Sequence, residues 1–292
     1  MSYDLYFYKK KGSGLTRTQI TTYLNFKLMP FDESSGQWFF VNQETEVYFI
    51  FETNDSVDDS DAIELYEKFE DFDNTRFVFN INYMRPSFFG LEAFQFVEKF
   101  LKDLGLYVLN PQSANELPYL PAPGELFENW NRTNLSASMN NYDDESNYYP
   151  IDKSNLIWEY NFNRKQLQEK IGADYFVSRI FFCKIFETKK VATFSTWAEH
   201  IPNILPQTDY YLLYRQYKRL FKTVNDRVLI SRETLYEKFG NYLLDYPYMD
   251  CKIIHPENAL KVKGIFNSLE SDIKYGKYLD RIGMDTLYNA KP

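Results

Sequence analysis

The sequence predicts an α+β protein of two domains, each with a mixed, mainly antiparallel sheet packed against helices. Three observations predict this class. Strand-like runs of aromatic and β-branched residues alternate with helical patterns, several helices carry start signals, and a stretch rich in proline and asparagine divides the chain. The chain has 292 residues, 44% of them hydrophobic and 25% charged, a composition typical of ordinary globular proteins. At about 150 residues per domain, this length also favours two domains.

Residues 1–112 predict an acidic N-terminal α+β domain. Thr16 and Gln19 match a capping box, in which each side chain satisfies a free backbone amide at the start of a helix, and Pro30 ends that helix. A second helix over 88–104 has apolar residues at helical spacing and ends at Gly105. The predicted strands are Tyr3–Tyr8, Trp38–Val41, Val47–Phe51, Phe77–Tyr83 and Leu106–Leu109.

Residues 113–150 predict a linker or an irregular arm, because prolines at both ends flank a long polar run. Residues 151–292 then predict a second α+β domain. Its expected strands are Ile157–Tyr160, Tyr175–Phe186, Val228–Ile230 and Lys252–Ile254, and Tyr210–Phe221 fits either a strand or a helix. Its expected helices are Asn163–Ile171, a short helix opened by Thr196 and Glu199, one capped by Ser231, and Pro256–Leu269.

The net charge of −8 is confined to the first 112 residues, which carry 18 acidic and 10 basic side chains. The rest of the chain carries 23 of each. Between Glu44 and Asp73 there are 12 acidic residues and a single base, Lys68. Such a density of like charge must face water, a cation or a basic partner, and it disfavours direct binding of nucleic acid. The candidate partner-binding residues are Asp55, Asp58, Asp59, Asp61, Glu64, Glu67, Glu70 and Asp71.

Candidate catalytic groups are few. The only histidines are His200 and His255, and the HExxH, CxxC and G-x-S-x-G patterns are all missing, so we expect no catalytic residue, no metal site and no cofactor. Ser195 precedes His200 by five residues, a spacing that gives the two no reason to pair, and Cys183 lies in an apolar run that favours an inert thiol. The 55 aromatic residues, 19% of the chain, favour core filling over ligand stacking.

Targeting signals are also missing. No apolar leader with a small-residue cleavage site follows Met1, and uninterrupted apolar runs such as Ile180–Cys183 are far shorter than the about 20 residues that span a bilayer. We therefore expect a cytoplasmic protein that binds no membrane and keeps both cysteines as thiols.

The pattern YDLYFYKKK at Tyr3–Lys11 is followed by Leu24 and by an aromatic strand at Val47–Phe51. Further segments of interest are Phe77–Pro86, Phe88–Gly90, Leu106–Gln112, Asp174–Val177, Trp197–Pro202 and Leu205–Tyr210. In these residues the chain resembles a group of bacterial cytosolic proteins that look like immunity proteins of secreted antibacterial toxins, and the resemblance covers both halves of the chain. It implies a protein that binds and blocks one cognate toxin, and the acidic segment implies that this toxin is basic. No residue role can be transferred from the resemblance.

Two other functions stay open. One is a hydrolase that uses carboxylates, which the scarcity of histidine disfavours. The other is a non-enzymatic scaffold or binding module that uses the aromatic Trp38–Phe51 β-ribbon as an interface, with a homodimer as one form of it. The sequence favours a toxin-neutralising immunity protein.

Overall fold

The computed structural model describes residues 2–30, 35–54, 69–219 and 222–291. It confirms the α+β class, with helices packed against antiparallel and mixed sheets. The chain divides into two compact units, one made of Met1–Tyr142 with Tyr288–Pro292 and the other of Asp143–Leu287.

The first unit is built on one six-stranded antiparallel sheet. Its strands are β1 (Ser2–Lys10), β2 (Met29–Pro30), β3 (Gln37–Val41), β4 (Tyr48–Thr53), β5 (Phe72–Asn82) and β6 (Tyr107–Leu109), in the spatial order β2-β3-β4-β5-β1-β6. Alternation along the strands puts one aromatic set on a single face, where Phe51 of β4 pairs with Phe79 of β5 and Phe79 pairs with Leu5 of β1.

This aromatic face packs against a helix. The described helices of this unit are α1 (Arg17–Lys27), α2 (Phe88–Leu104) and α3 (Glu125–Asn140), and rings of α2 lie on this face. The ring centroid of Phe100 is 4.9 Å from that of Phe7 and 5.1 Å from that of Phe51. Edge-on contacts of this kind add to the free energy of burying the rings. In this unit, therefore, much of the unusual aromatic content fills the core.

Helix α3 lies inside the stretch that the sequence predicts as a linker or arm. Its buried residues Leu126, Trp130, Asn134 and Ser138 recur every four positions and so form one stripe along the helix. The Asn134 side chain bonds both backbone groups of Arg85, accepting from its N–H at 3.1 Å and donating to its carbonyl at 2.8 Å. Residues up to Tyr142 belong to the first unit, so most of 113–150 is part of a folded core.

The chain returns to the first unit at its last described residues. The backbone N–H of Ser87, at the start of α2, donates to Oδ1 of Asn289 at 2.6 Å, across a sequence separation of 202 residues. Both residues are buried. Residues after 287 thus complete the first unit.

Among its described residues, the second unit contains two larger sheets, which hold all of its strands except Asn147–Tyr148. Its strands are β7 (Asn147–Tyr148), β8 (Phe176–Val177), β9 (Ile180–Ile185), β10 (Val191–Ala198), β11 (Asn203–Leu205), β12 (Tyr210–Arg219), β13 (Lys222–Ser231), β14 (Leu244–Asp245), β15 (Lys252–Ile254) and β16 (Leu279–Ile282), followed by β17 (Leu287–Tyr288) at the division between the units. The larger sheet has the order β13-β12-β10-β9-β16 and the smaller one β14-β15-β11-β8. Each contains one parallel pair, β10 with β12 and β8 with β11, so both are mixed sheets.

Four helices belong to the described part of this unit: α4 (Ile151–Ile171), α5 (Arg232–Phe239), α6 (Pro256–Lys261) and α7 (Lys263–Ser268). Single-turn 3₁₀ segments cover Gly240–Tyr242 and Met284–Thr286. The rings of Trp197, Phe239 and Phe266 meet at centroid distances of 4.8 to 5.4 Å and join β10 to α5 and α7. The predicted helix Pro256–Leu269 is thus two short helices that meet near Val262.

Two further sequence predictions are wrong here. Ile157–Tyr160, predicted as a strand, lies inside α4, whose buried residues Ser154, Ile157, Asn161 and Leu167 follow helical spacing. Thr196 and Glu199, predicted to open a short helix, instead lie in and just after strand β10. β10 runs between two neighbouring strands and is buried on both faces, so its sequence lacks the alternation that marks a half-buried strand.

Candidate functional site

The predicted acidic site is described only at its end. Asp55, Asp58, Asp59, Asp61, Glu64 and Glu67 lie outside the described residues, whereas Glu70 and Asp71 are exposed just before β5. Beside them runs the basic end of β1, where the Lys11 N–H donates to the Asp71 carbonyl at 2.9 Å. The described end of the acidic segment therefore lies next to lysines.

Those lysines are held by other contacts. Nζ of Lys9 donates to the Leu15 carbonyl at 2.8 Å, and Nζ of Lys10 lies over the rings of Phe72 and Tyr107, 5.6 and 5.7 Å from their centroids. The ammonium groups of Lys9 and Lys10 thus contact a carbonyl and two ring faces. Glu70 and Asp71 are exposed to solvent.

The two histidines occupy separate places in the second unit. Nε2 of His200 lies 2.9 Å from Oε1 of Glu199, whose side chain is only 6% exposed. Oε2 of Glu199 accepts the backbone N–H of Gln216 at 3.0 Å, so this carboxylate extends the pairing of β10 with β12 beyond Ala198. Nδ1 of His200 is buried and has no hydrogen-bond partner in the described part of the chain. Glu199 therefore holds the end of β10 to β12, and the second ring nitrogen of His200 is shielded from solvent.

Ser195, the other candidate catalytic group, does not pair with a histidine, and His255 contacts a tyrosine. The Ser195 hydroxyl is buried within β10 and, among the described residues, has no hydrogen-bond partner. His255 lies at the start of α6, and its Nδ1 is 2.6 Å from the Tyr175 hydroxyl. Within residues 2–30, 35–54, 69–219 and 222–291, no three His, Cys, Asp or Glu side chains cluster in a way that could hold a metal ion.

Both cysteines are buried free thiols. Burial raises the pKa of Cys183 and of Cys251 from 9.0 to about 12. A thiol with so high a pKa carries almost no thiolate near neutral pH, and thiolate is the nucleophile. Neither cysteine is thus activated as a nucleophile.

The second unit has a cavity of about 380 Å³ that sequence reasoning missed, here named the α4 cavity. Leu156, Ile157 and Tyr160 of α4 and Ile180 of β9 form its apolar wall. Lys153, Asp209, Arg232 and Asp250 supply its charged groups. A mainly apolar wall with a few charged groups is the composition typical of small-molecule sites.

Helix α4 is fixed beside this cavity by an amide. Nδ2 of Asn161 donates to the Ile180 carbonyl at 2.9 Å, and its Oδ1 accepts the Ile180 N–H at 3.0 Å. The Tyr160 hydroxyl donates to the Ser178 carbonyl at 2.7 Å. β16 pairs with β9 only from Phe182 onward, so the Asn161 bonds satisfy Ile180 on that side and hold α4 against the strand.

The chain matches no family model, no curated protein and no solved structure. The resemblance to immunity proteins therefore stays a prediction. Across the described ranges, no helix combines the length and the apolar character that crossing a membrane requires.

The cavity residues carried little sequence signal. Lys153, Asp209, Arg232 and Asp250 come from four distant segments, and no spacing rule connects them. Arg232 directly follows the helix-capping Ser231, and a charged residue in a first helical turn is ordinary. The one available hint was the predicted strand at Ile157–Tyr160, whose apolar residues form the cavity wall as part of a helix.

Proposed function

We propose that the protein is a non-enzymatic, toxin-neutralising immunity protein that binds a basic toxin and blocks it. The observation that carries this proposal is the segment from Glu44 to Asp73, with 12 acidic residues and one lysine, in a chain whose remaining charges nearly balance. A surface of one sign steers an oppositely charged protein and raises the rate of association by about 10- to 1,000-fold.

The fold supports this use of the segment. Its first part contains β4 and its last two residues begin β5, which are neighbouring antiparallel strands in the middle of the six-stranded sheet. Both of its ends are therefore fixed to the aromatic core. Glu70 and Asp71, the described members of the predicted site, are exposed as partner binding requires.

The test is co-expression with the product of the neighbouring reading frame. We expect the chain to restore growth of cells that express the toxin, and the two proteins to co-purify as a complex. Failure of both rescue and co-purification would contradict the proposal. Rescue by a chain that hydrolyses a toxin product, with no complex formed, would favour the hydrolase alternative.

A charge variant tests the role of the acidic segment. Changing Asp58, Asp59 and Asp61 to Asn and Glu64 to Gln should slow association with the toxin by about tenfold at low salt and leave dissociation nearly unchanged. The association rate of the unmodified protein should also fall as ionic strength rises.

The matched control neutralises four exposed acids elsewhere. Changing Glu116, Glu169, Glu187 and Glu270 to Gln gives the same net charge as the first variant, because each change removes one negative charge. If the control slows association as much as the first variant, only net charge matters and the segment is not the binding surface.

A further inference from the structure

We propose that the α4 cavity binds a small organic carboxylate with an apolar body. This site is separate from the acidic segment and does not depend on the proposed function. The cavity has an oriented arginine, an unpaired lysine, an apolar wall of suitable size and an unusual turn at its rim.

The guanidinium of Arg232 is already oriented before any ligand binds. Its Nε donates to the Thr208 carbonyl at 2.7 Å, and its Nη2 donates to Oδ1 of Asp209 at 3.3 Å. Its Nη1 has no hydrogen-bond partner in the part of the chain that the structure describes. One donor group of a planar, permanently charged fork is thus left for a ligand.

Asp209, the anion beside this arginine, is occupied by protein groups. Its Oδ2 accepts the backbone N–H of Thr193 at 2.9 Å and the Thr193 hydroxyl at 2.8 Å. The carboxylate therefore orients Arg232 and has little capacity left to bind a ligand. The role of the Asp209–Thr193 contact is to join the start of β12 to β10.

Lys153 supplies a second positive charge. It lies in the first turn of the 21-residue helix α4, is exposed, and forms no ion pair within the described residues. An ammonium group there and the partial positive charge of the helix start both favour an anion. Lys153 and Nη1 of Arg232 are therefore the groups expected to bind the carboxylate.

The apolar wall accounts for the body of the ligand. Leu156 is 55% exposed although it lines the cavity, beside the buried side chains of Ile157, Tyr160 and Ile180. A ligand that covers Leu156 would gain about 25 cal/mol for each Å² of apolar surface removed from water. A volume of about 380 Å³ lies within the about 300 to 1,000 Å³ range of small-molecule sites.

The turn at the rim is a second, independent observation. Met249 and Asp250 both line the cavity, and both have positive φ, 47° and 55°. A left-handed backbone is unfavourable at residues other than glycine, and such conformations cluster at functional sites.

The experiment measures binding of hydrocinnamate to the full chain by NMR titration or calorimetry, with the neutral amide of the same acid as the reference probe. We expect saturable binding of the carboxylate, at least about fivefold tighter than that of the amide, since only the carboxylate can use both cations. The Lys153→Gln variant should weaken carboxylate binding by about three- to tenfold and leave amide binding unchanged.

The matched control is Lys170→Gln, at the other end of α4, which should leave both affinities unchanged. Lys153 and Lys170 are both exposed, so neither change should alter folding, which thermal unfolding checks. The proposal is overturned if carboxylate and amide bind equally, if the two lysine variants behave alike, or if no saturable binding occurs up to about 10 mM.

Discussion

At the scale of single residues, the most informative position is Gly90, inside α2. A Cβ atom there would lie 2.5 Å from the ring of Trp130, closer than real Cβ contacts come. Glycine is therefore required by the approach of α3 to α2, although a helix interior normally disfavours it by about 1 kcal/mol relative to alanine.

We expect Gly90→Ala to lower the free energy of unfolding by about 1 to 3 kcal/mol, since the core around Trp130 must shift to admit the methyl group. Gly264→Ala is the control, because that glycine is also helical but a Cβ there would meet nothing within 4 Å. Denaturant unfolding should show the control unchanged or slightly more stable. Equal effects of the two changes would contradict the packing argument.

The buried thiols predict how stability depends on pH. Unfolded thiols ionise from about pH 9 upward, whereas burial raises the pKa of Cys183 and Cys251 in the folded protein to about 12. Stability from these groups is thus fully present below pH 9 and is lost as pH rises from 9 through 12.

At pH 10 the free energy of unfolding should be lower than at neutral pH by about 1.4 kcal/mol for each thiol. The measurement is guanidinium unfolding at pH 7 and pH 10, compared with a variant that has alanine at both positions. Tyrosines of the unfolded chain also begin to ionise near pH 10, but they do so equally in both proteins, so the difference between the two proteins isolates the thiols. An identical pH dependence in the two proteins would contradict this account.

At the scale of elements, local signals predicted much of the fold. The capping box of Thr16 and Gln19 forms as predicted, with the Gln19 N–H donating to the Thr16 hydroxyl and the Gln19 side chain accepting the Thr16 N–H. Helix α2 covers the predicted 88–104, and Ser231 caps α5. These elements depend on interactions within a few residues, which a sequence displays directly.

The elements that were misread depend on distant partners. Helix α3 has a polar sequence because Asn134 and Asn131 bind groups at the start of α2 rather than water. The motif at Thr196 and Glu199 satisfies the helix rule, yet Glu199 bonds Gln216 on a neighbouring strand. The α4 cavity was unpredictable for the same reason, since tertiary contacts decide which side chains meet.

Asn161 gives an element-scale prediction. Asn161→Ala should destabilise the protein by about 2 to 4 kcal/mol, because both backbone groups of the buried Ile180 lose their partner. Asn163→Ala, which removes an exposed bond to the Glu159 carbonyl, should cost less than about 0.5 kcal/mol. Thermal unfolding of the two variants provides the comparison, and similar melting temperatures would contradict it.

At the scale of the whole molecule, the boundaries between units determine which fragments fold. The sequence predicts a domain at 1–112, and that fragment lacks α3 and the residues after 287. We expect it to lack cooperative unfolding, since Trp130 and Asn289 belong to its core. A fragment of residues 143–287 should melt cooperatively, as followed by circular dichroism. A cooperative transition in 1–112 would show that α3 is dispensable.

The bond between Ser87 and Asn289 also has a consequence for biosynthesis. A ribosome adding about 5 to 20 residues per second needs about 10 to 40 s to make the 202 residues between them. During that interval the nascent first unit lacks the Asn289 partner of its Ser87 amide, while the residues of the second unit are being made. The part of the protein made first is thus the part finished last.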